Sequence, residues 1–423
     1  MSDPSEHIVI VGAGAAGLMA ARELARAGCK VTILEARQRC GGRIHPLPAS
    51  QFGYAADGGA EFVHGEAPVT RTLLREAGLS LQETEGEQWR FDGTKLTRER
   101  DDPHEAELQA KLADLKDDLT VADFLRRHFA GDDYAQMRHS IERMIEGYDA
   151  ADPERASTLA LRAEWMDGGH APQARIEGGY GAMIDVMTAD CRRHGVTIRL
   201  GSVVSAIAEE GGAAIVRCAG GDVHACDRVI LTVPLPLLRE IALPAGARAK
   251  LAAVDDIGFG NVIKILLRFA RPWWRERKED LADMTFLLSD EAIPVWWTRY
   301  PDQHPVLTGW FGGPRTAELE SLDARALIDA GLGSLAAIFG LPRDHIAREL
   351  VASAATNWAH DPFARGAYSW ATPRTRAAQA ILARGDGLVL FSGEALYRGR
   401  DMGTVEAALA SGLETAGAIL RGQ

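Results

Sequence analysis

The stretch HIVIVGAGAAGLMAARELARAGCKVTILEARQRCGGR, residues 7–43, decides the fold. Residues 8–11 form an apolar run that reads as a buried parallel strand. It stops at a turn carrying Gly12, Gly14 and Gly17, and a helix-forming run follows over residues 15–27. The first glycine permits the tight turn, the second lets a pyrophosphate reach the backbone, and the third lets helix and strand pack closely. The helix start at Ala15 and Ala16 offers free N–H groups and a positive dipole end to phosphates. A second apolar run, residues 31–34, ends in Glu35, 18 residues after Gly17. A carboxylate there accepts both ribose hydroxyls of an adenosine and repels a 2′-phosphate. Strand, helix and acid at these spacings predict a dinucleotide site in place of a plain tight turn.

The residues after the second strand specify which dinucleotide. Arg39, Gly41, Gly42 and Arg43 spell RxGGR and place guanidinium groups beside the same pyrophosphate. This stretch resembles the extended fingerprint of the FAD-binding fold shared by flavin amine oxidases, phytoene desaturases and protoporphyrinogen oxidases. The resemblance implies FAD, held at this end by Gly12, Gly14, Ala15, Ala16, Gly17, Glu35, Ala36, Arg37, Gly42 and Arg43.

Composition narrows the class. A chain of 423 residues with 46% hydrophobic content has ample core for two or three domains. Its formal charge of −12 argues against a nucleic-acid partner. Five scattered cysteines, Cys29, Cys40, Cys191, Cys218 and Cys226, have neither CxxC nor His-rich spacing, so no disulfide framework or metal site is expected. No apolar run approaches the ~20 residues of a membrane helix. The expectation is a cytoplasmic protein without a membrane partner, its oligomeric state open.

Further along, Asp57-Gly58-Gly59-Ala60-Glu61-Phe62-Val63-His64-Gly65 joins small residues to an apolar pair and a histidine. Residues 66–176 break the strand-helix rhythm; Leu108, Leu112, Leu115 and Leu119 recur on one face of a helix, and the charge-dense run 98–118 reads as its solvated side. Nucleotide-domain character returns at Gly178, with a helix to Arg193, a strand over 196–200, and a hairpin turning at Glu209-Glu210-Gly211-Gly212. Residues 228–233 form a strand ended by Pro234. Lys264 lies within the apolar run 262–269, where an unpaired ammonium is costly, so it either snorkels from an edge strand or does chemistry. A helix is expected over 324–339; the GxGxxA match starting at Gly331 falls inside it and is discarded.

Several of these stretches resemble the flavin amine oxidases in particular. Gly258-Phe259-Gly260-Asn261 with Lys264, Phe269 and Trp273-Trp274 is similar to the segment whose lysine holds a water against the flavin. The HG at His64 is similar to that of polyamine and spermine oxidases, and Gly59, Ala60 and Glu61 fall where the chain passes the flavin. Val204 and Thr232 match the family's strand motifs, which implies that both touch the cofactor. Trp358 and Asp361-Pro362-Phe363 lead to Tyr368, one member of an aromatic pair; Ala367 stands where monoamine oxidases carry the cysteine bonded to the flavin, which implies non-covalent FAD. Gly393, Glu394, Gly403, Thr404 and Val405 resemble the closing motif. Thr404 departs from the second tyrosine of the pair.

The resemblance implies an α/β protein of two domains: a discontinuous Rossmann-like FAD domain (1–65, 177–262, 357–423) and a substrate domain of mixed sheet and helices (66–176, 263–356). It implies oxidation of an amine, with a polyamine as the expected substrate, by hydride transfer to flavin, with oxygen as acceptor and hydrogen peroxide as product. Lys264, Tyr368 and His64 are the expected catalytic residues, and Glu61 or Glu66 the expected receiver of a distal ammonium. The alternatives are an L-amino acid oxidase using Arg299 or Arg365 for a carboxylate, a desaturase, or a flavin-binding scaffold of low turnover.

Overall fold

A computed structural model describes residues 6–100, 102–167, 173–277, 279–384 and 387–422. Asp101, within the charge-dense run, lies outside them. The first strand (His7–Val11) is the middle of a parallel five-stranded sheet ordered Val389–Phe391, Arg228–Leu231, His7–Val11, Lys30–Leu34, Thr197–Arg199. Its apolar residues are buried on both faces, as a doubly covered parallel sheet requires. One face carries the helix Ala15–Arg26, against which the helices Gly179–Arg193 and Val405–Leu420 pack. The other is covered by the hairpin sheet built on Val204–Glu210 and by the segment around Leu235 and Leu238.

A second, seven-stranded sheet runs Leu350–Asn357, Val262–Phe269, Val306–Gly312, Val295–Trp297, Met284–Leu288, Glu87–Phe91, Leu96–Arg98. It is antiparallel except where Met284–Leu288 meets Glu87–Phe91. Strand Val262–Phe269 is paired on both sides, so the edge position considered for Lys264 does not occur. Alternation sends Ile263, Ile265 and Leu267 into a core under the helix Ala324–Phe339. Val262, Lys264 and Leu266 consequently share the opposite face, which looks toward the segments around Gly59 and Phe52.

The leucine periodicity overruns its helix. The helix Glu105–Ala113 contains Leu108 and Leu112, but Leu115 and Leu119 lie beyond it in irregular chain. The Asp118 carboxylate accepts from Ser157 Oγ and Leu159 N, and the Leu119 carbonyl accepts from Thr158 N, so these contacts hold the chain out of the helix. Both leucines still pack against the same cluster, which explains why the pattern looked continuous. The strand expected over 196–200 is shorter, Thr197–Arg199. No single helix among the described residues is long and apolar enough to cross a membrane.

The helices Ala15–Arg26 and Val405–Leu420 touch where Gly412 lies on the carbonyl of Ala16; a Cβ there would stand 2.3 Å from that oxygen. Gly412→Ala is expected to push the last helix off the glycine turn and to cost about 1–3 kcal/mol by overpacking, read as a lowered urea midpoint at unchanged m-value.

Candidate functional site

Between the two sheets lies a cavity of about 2370 Å3. Most of the residues that the sequence singled out for cofactor or chemistry line it; Gly17, Arg39, Arg299 and Arg365 do not. Gly17 sits beneath the turn, where a Cβ would meet the Gly12 carbonyl at 2.0 Å. Gly14 is the reverse case, since a Cβ there would meet nothing within 4 Å and would only fill the cavity. The helix behind it has no side-chain cap, so its first N–H groups remain free for an anion.

Around this turn several side chains are already committed. Glu35 is buried, and its two oxygens accept from Ala13 N at 2.7 Å and Arg37 N at 2.8 Å, leaving each a second lone-pair site. Thr232, expected to touch cofactor, gives its hydroxyl to the carbonyls of Val11 and Gly12 and so fixes the turn. Arg39, expected beside the pyrophosphate, turns inward and donates to the carbonyls of Cys40, Gly42 and Ile44; it staples the RxGGR loop. Arg37 forms a bidentate pair with Asp361 at 2.6 and 2.8 Å. Arg43 does face the cavity, donating to Glu394 at 2.8 Å and to the Ala367 carbonyl at 2.7 Å, while Ser369 Oγ donates to the other Glu394 oxygen. Thr404 caps the last helix by accepting from Ala407 N, so that helix start also looks into the cavity.

On the opposite wall, the Lys264 side chain is fully buried. Its Nζ donates to Glu61 Oε2 at 2.9 Å and to the Gly59 carbonyl at 3.0 Å. Glu61 also accepts from Arg175 Nε at 2.8 Å and from Trp297 Nε1 at 3.1 Å, with Arg299 at 3.5 Å. Burial alone would raise the Glu61 pKa, but Lys264, Arg175 and Arg299 outweigh it and hold the carboxyl well below its usual range. Glu61 therefore has no capacity for a distal ammonium, and that expectation is corrected. Nor does Arg299 serve a substrate carboxylate: it is held by Glu61 and Asp302, Arg365 pairs with Glu240, and neither lines the cavity. Glu66 is exposed at the cavity rim.

The remaining wall is aromatic. Tyr368 and Trp310 stack with centroids 6.5 Å apart, Trp297 lies 5.6 Å beyond, and Trp358 is buried beside Gly59. Tyr368 OH donates to the Tyr148 carbonyl at 2.6 Å, and Tyr148 OH lies 3.0 Å from His64 Nδ1. The amide nitrogen of Gln173 approaches the same Nδ1 at 3.4 Å. An amide nitrogen only donates, so Nδ1 is the accepting nitrogen and Nε2 carries the hydrogen. Burial pushes the His64 pKa down to about 4, keeping the ring neutral at physiological pH.

A family model described as flavin-containing amine oxidoreductase matches residues 15–420. The chain belongs to that family. Curated relatives include "Probable polyamine oxidase 4" of Arabidopsis thaliana, 28% identical across 86% of this chain and 76% of the relative. Others are "Protein FLOWERING LOCUS D" of Arabidopsis thaliana, 27% identical over 97% of this chain, and "Lysine-specific histone demethylase 2" of Homo sapiens, 26% identical over 98%. The chain spans about half the length of these last two, 54% and 53%. Among solved structures, a putrescine oxidase bound to putrescine superposes with a TM-score of 0.81 at 22% identity, covering 99% of both chains. Cyclohexylamine oxidase from Brevibacterium oxydans IH-35A gives 0.78 at 21% identity, again covering 99% of both. These two show the shared fold.

As a flavin amine oxidoreductase, the protein has FAD as its cofactor, and the cavity suits it. The open space at Gly14, the uncapped helix start, and Glu35 with lone pairs to spare make a cradle for an adenosine diphosphate moiety. The cavity exceeds the ~300–1,000 Å3 of ordinary ligand pockets, leaving room for a substrate in front of the cofactor.

Arg175, Tyr148 and Gln173 escaped the sequence reading, and Trp297 and Trp310, expected only as strand residues of the second sheet, were not foreseen at the site. Arg175 had a usable signal, an arginine between Ala174 and Ile176 in a short buried strand. Glu61→Gln leaves the buried Lys264 and Arg175, and Arg299 beside them, without their shared anion, so it is expected to cost about 3–5 kcal/mol of unfolding free energy. The folded-state pKa of Glu61 is depressed, so its contribution is full above the unfolded carboxyl value of about 4.3 and is lost as pH falls below it. Urea denaturation should therefore show wild type and variant converging as the solution is acidified below about pH 4.

Proposed function

We propose that the protein oxidises a small primary or secondary alkylamine, a polyamine foremost, with FAD bound non-covalently and oxygen as the final electron acceptor, releasing imine, then aldehyde, and hydrogen peroxide. The observation that carries this reading is Lys264: an ammonium with no solvent exposure, paired with Glu61 in a central strand, across the cavity from the glycine turn. When bound, FAD supplies the hydride acceptor and its reoxidation by oxygen. The chain's own residues do the rest. Gly14, the first helix N–H groups, Glu35 and Arg43 would hold the cofactor. Two of the three Lys264 protons go to Glu61 and Gly59; the third is available for a water beside the ring. Trp310, Tyr368 and Trp358 enclose the amine, keep bulk water away and offer π-faces to its cationic form.

Support for non-covalent attachment comes from Ala367, which has no nucleophile, and from the five cysteines, none of which lines the cavity. Support for a polyamine comes from the relatives and from the acidic residues Glu66 and Asp401 on the cavity wall. The names of other relatives add a lysine side chain of a peptide as a substrate to try.

The deciding experiment is an anaerobic titration of the purified yellow protein with diamines, spermidine, spermine, simple monoamines, L-amino acids and an Nε-methyl-lysine peptide. Bleaching of the oxidised-flavin band by polyamines but not by amino acids is the expected result; no bleaching by any amine, in protein that dithionite still reduces, refutes the reading. Lys264→Met is expected to retain FAD while slowing anaerobic flavin reduction by an active amine by more than tenfold, about 1.4 kcal/mol or more of barrier. Acid precipitation should release the flavin entirely into the supernatant.

A further inference from the structure

Oxidation of an amine by hydride loss needs the nitrogen lone pair, yet alkylamines arrive protonated at neutral pH. The groups placed so far around Lys264 and Tyr368 cannot take that proton. Lys264 is a cation and Glu61 is saturated by its partners. Tyr148 and Tyr368 both have phenol protons engaged, and His64 has its accepting nitrogen occupied.

Two acids on the same wall have no role above. Asp149 follows the helix Ala135–Gly147, at a bend where Ala150 adopts a left-handed φ of 52°. Glu164 projects from the helix Thr158–Asp167. Both line the cavity and they hydrogen-bond to each other. Two carboxyl groups in contact share one proton, so the pair carries a single negative charge. Burial, with Glu164 beside it, raises the Asp149 pKa well above the usual range, and burial pushes Glu164 up to about 7. Tyr148, Tyr368 and Asp401 face the pair, with Arg400 and Glu66 beyond Asp401. A further observation points to an N–H ligand here. Gln173 Oε1, on the same wall, is buried and has no hydrogen-bond partner among the described residues.

We propose that the Asp149–Glu164 pair receives the substrate ammonium and takes one proton from it. An N–H bond breaks and an O–H bond forms on the pair; the electron pair stays on nitrogen, and nothing is oxidised or reduced. The pair passes from one proton to two, and returns the second to water when product leaves. The neutral amine is then hydrogen-bonded in front of Tyr368. This assignment rests on the amine-oxidation reading and gives that reaction its proton acceptor.

The test uses FAD-loaded enzyme. tert-Butylamine has no hydrogen on its α-carbon and cannot be oxidised, so its binding is read from the perturbed flavin spectrum. Wild type is expected to bind it at about pH 8 and to lose roughly tenfold in affinity per pH unit below about 7, as the pair gains its second proton. Glu164→Gln should bind roughly tenfold more weakly at about pH 8 and show no such acid limb. In stopped-flow reduction by an amine that the wild type oxidises, Glu164→Gln should be more than tenfold slow at neutral pH and recover toward about pH 10, where the amine sheds its proton to solvent. Glu164→Asp should restore part of the neutral-pH rate. Asp149→Asn gives the same readings if Glu164→Gln loses FAD or fails to fold. Wild-type binding and reduction profiles in both variants, or a deficit that does not recover at high pH, overturn the assignment. Failure of every amine to reduce the wild type would instead overturn the underlying reading.

Discussion

A charged ammonium buried in the middle strand of a sheet is the constraint around which this protein is arranged. Lys264 has no solvent-accessible surface, and an isolated ion in such surroundings would cost several kcal/mol. The cost is met only because Glu61 arrives from a separate segment, in a loop that Gly59 allows to pass close to the Arg43 carbonyl. Glu61 in turn needs Arg175 and Arg299 to remain ionised while buried. Strand Val262–Phe269, the end of strand Val295–Trp297 and the short strand Ala174–Ile176 are thereby tied to one carboxylate. These bonds fix the position of Lys264 on the cavity wall.

Buried glutamates do similar work elsewhere. Glu35 ties the second strand to the glycine turn through Ala13 N. Glu394 joins Arg43 to Ser369. Glu406, in the first turn of the last helix, accepts from Val69 N, Thr70 N and Thr70 Oγ1 and so fixes the start of the helix Pro68–Ala77. Each carboxylate crosses between stretches distant in sequence, and Glu35 and Glu394, like Glu61, line the cavity. An ionised acid buried with full hydrogen bonding orients its neighbours more tightly than an apolar contact of equal area, because its partners must meet it in narrow angular ranges.

This division explains what was legible in the sequence. The nucleotide end could be read because its determinants are local: a turn requiring positive φ at Gly12, a helix start at Ala15, and an acid at the end of the next strand. Lys264 could be flagged because a lysine in an apolar run is costly, although the sequence could not say whether its strand was at an edge. The partners of Glu61 could not be read, since Arg175, Trp297 and Arg299 lie more than a hundred residues away and have no periodic signature. Thr232 and Arg39 were assigned outward by motif and turn inward because the backbone carbonyls of the turn and loop need donors more than a ligand does.

The same physics separates the two acidic groupings of the cavity. Glu61 is surrounded by cations, so its charge is fixed and it can only position. Asp149 and Glu164 are surrounded by phenols and another acid, so their charge is not fixed, and a proton can enter or leave near neutral pH. Placing a fixed ion pair at Lys264 and a titratable pair behind Tyr368 keeps electrostatic stabilisation and proton transfer on different residues. A substrate cation entering between them is repelled by Lys264 and attracted by the acids, which orients its nitrogen toward the group that can neutralise it.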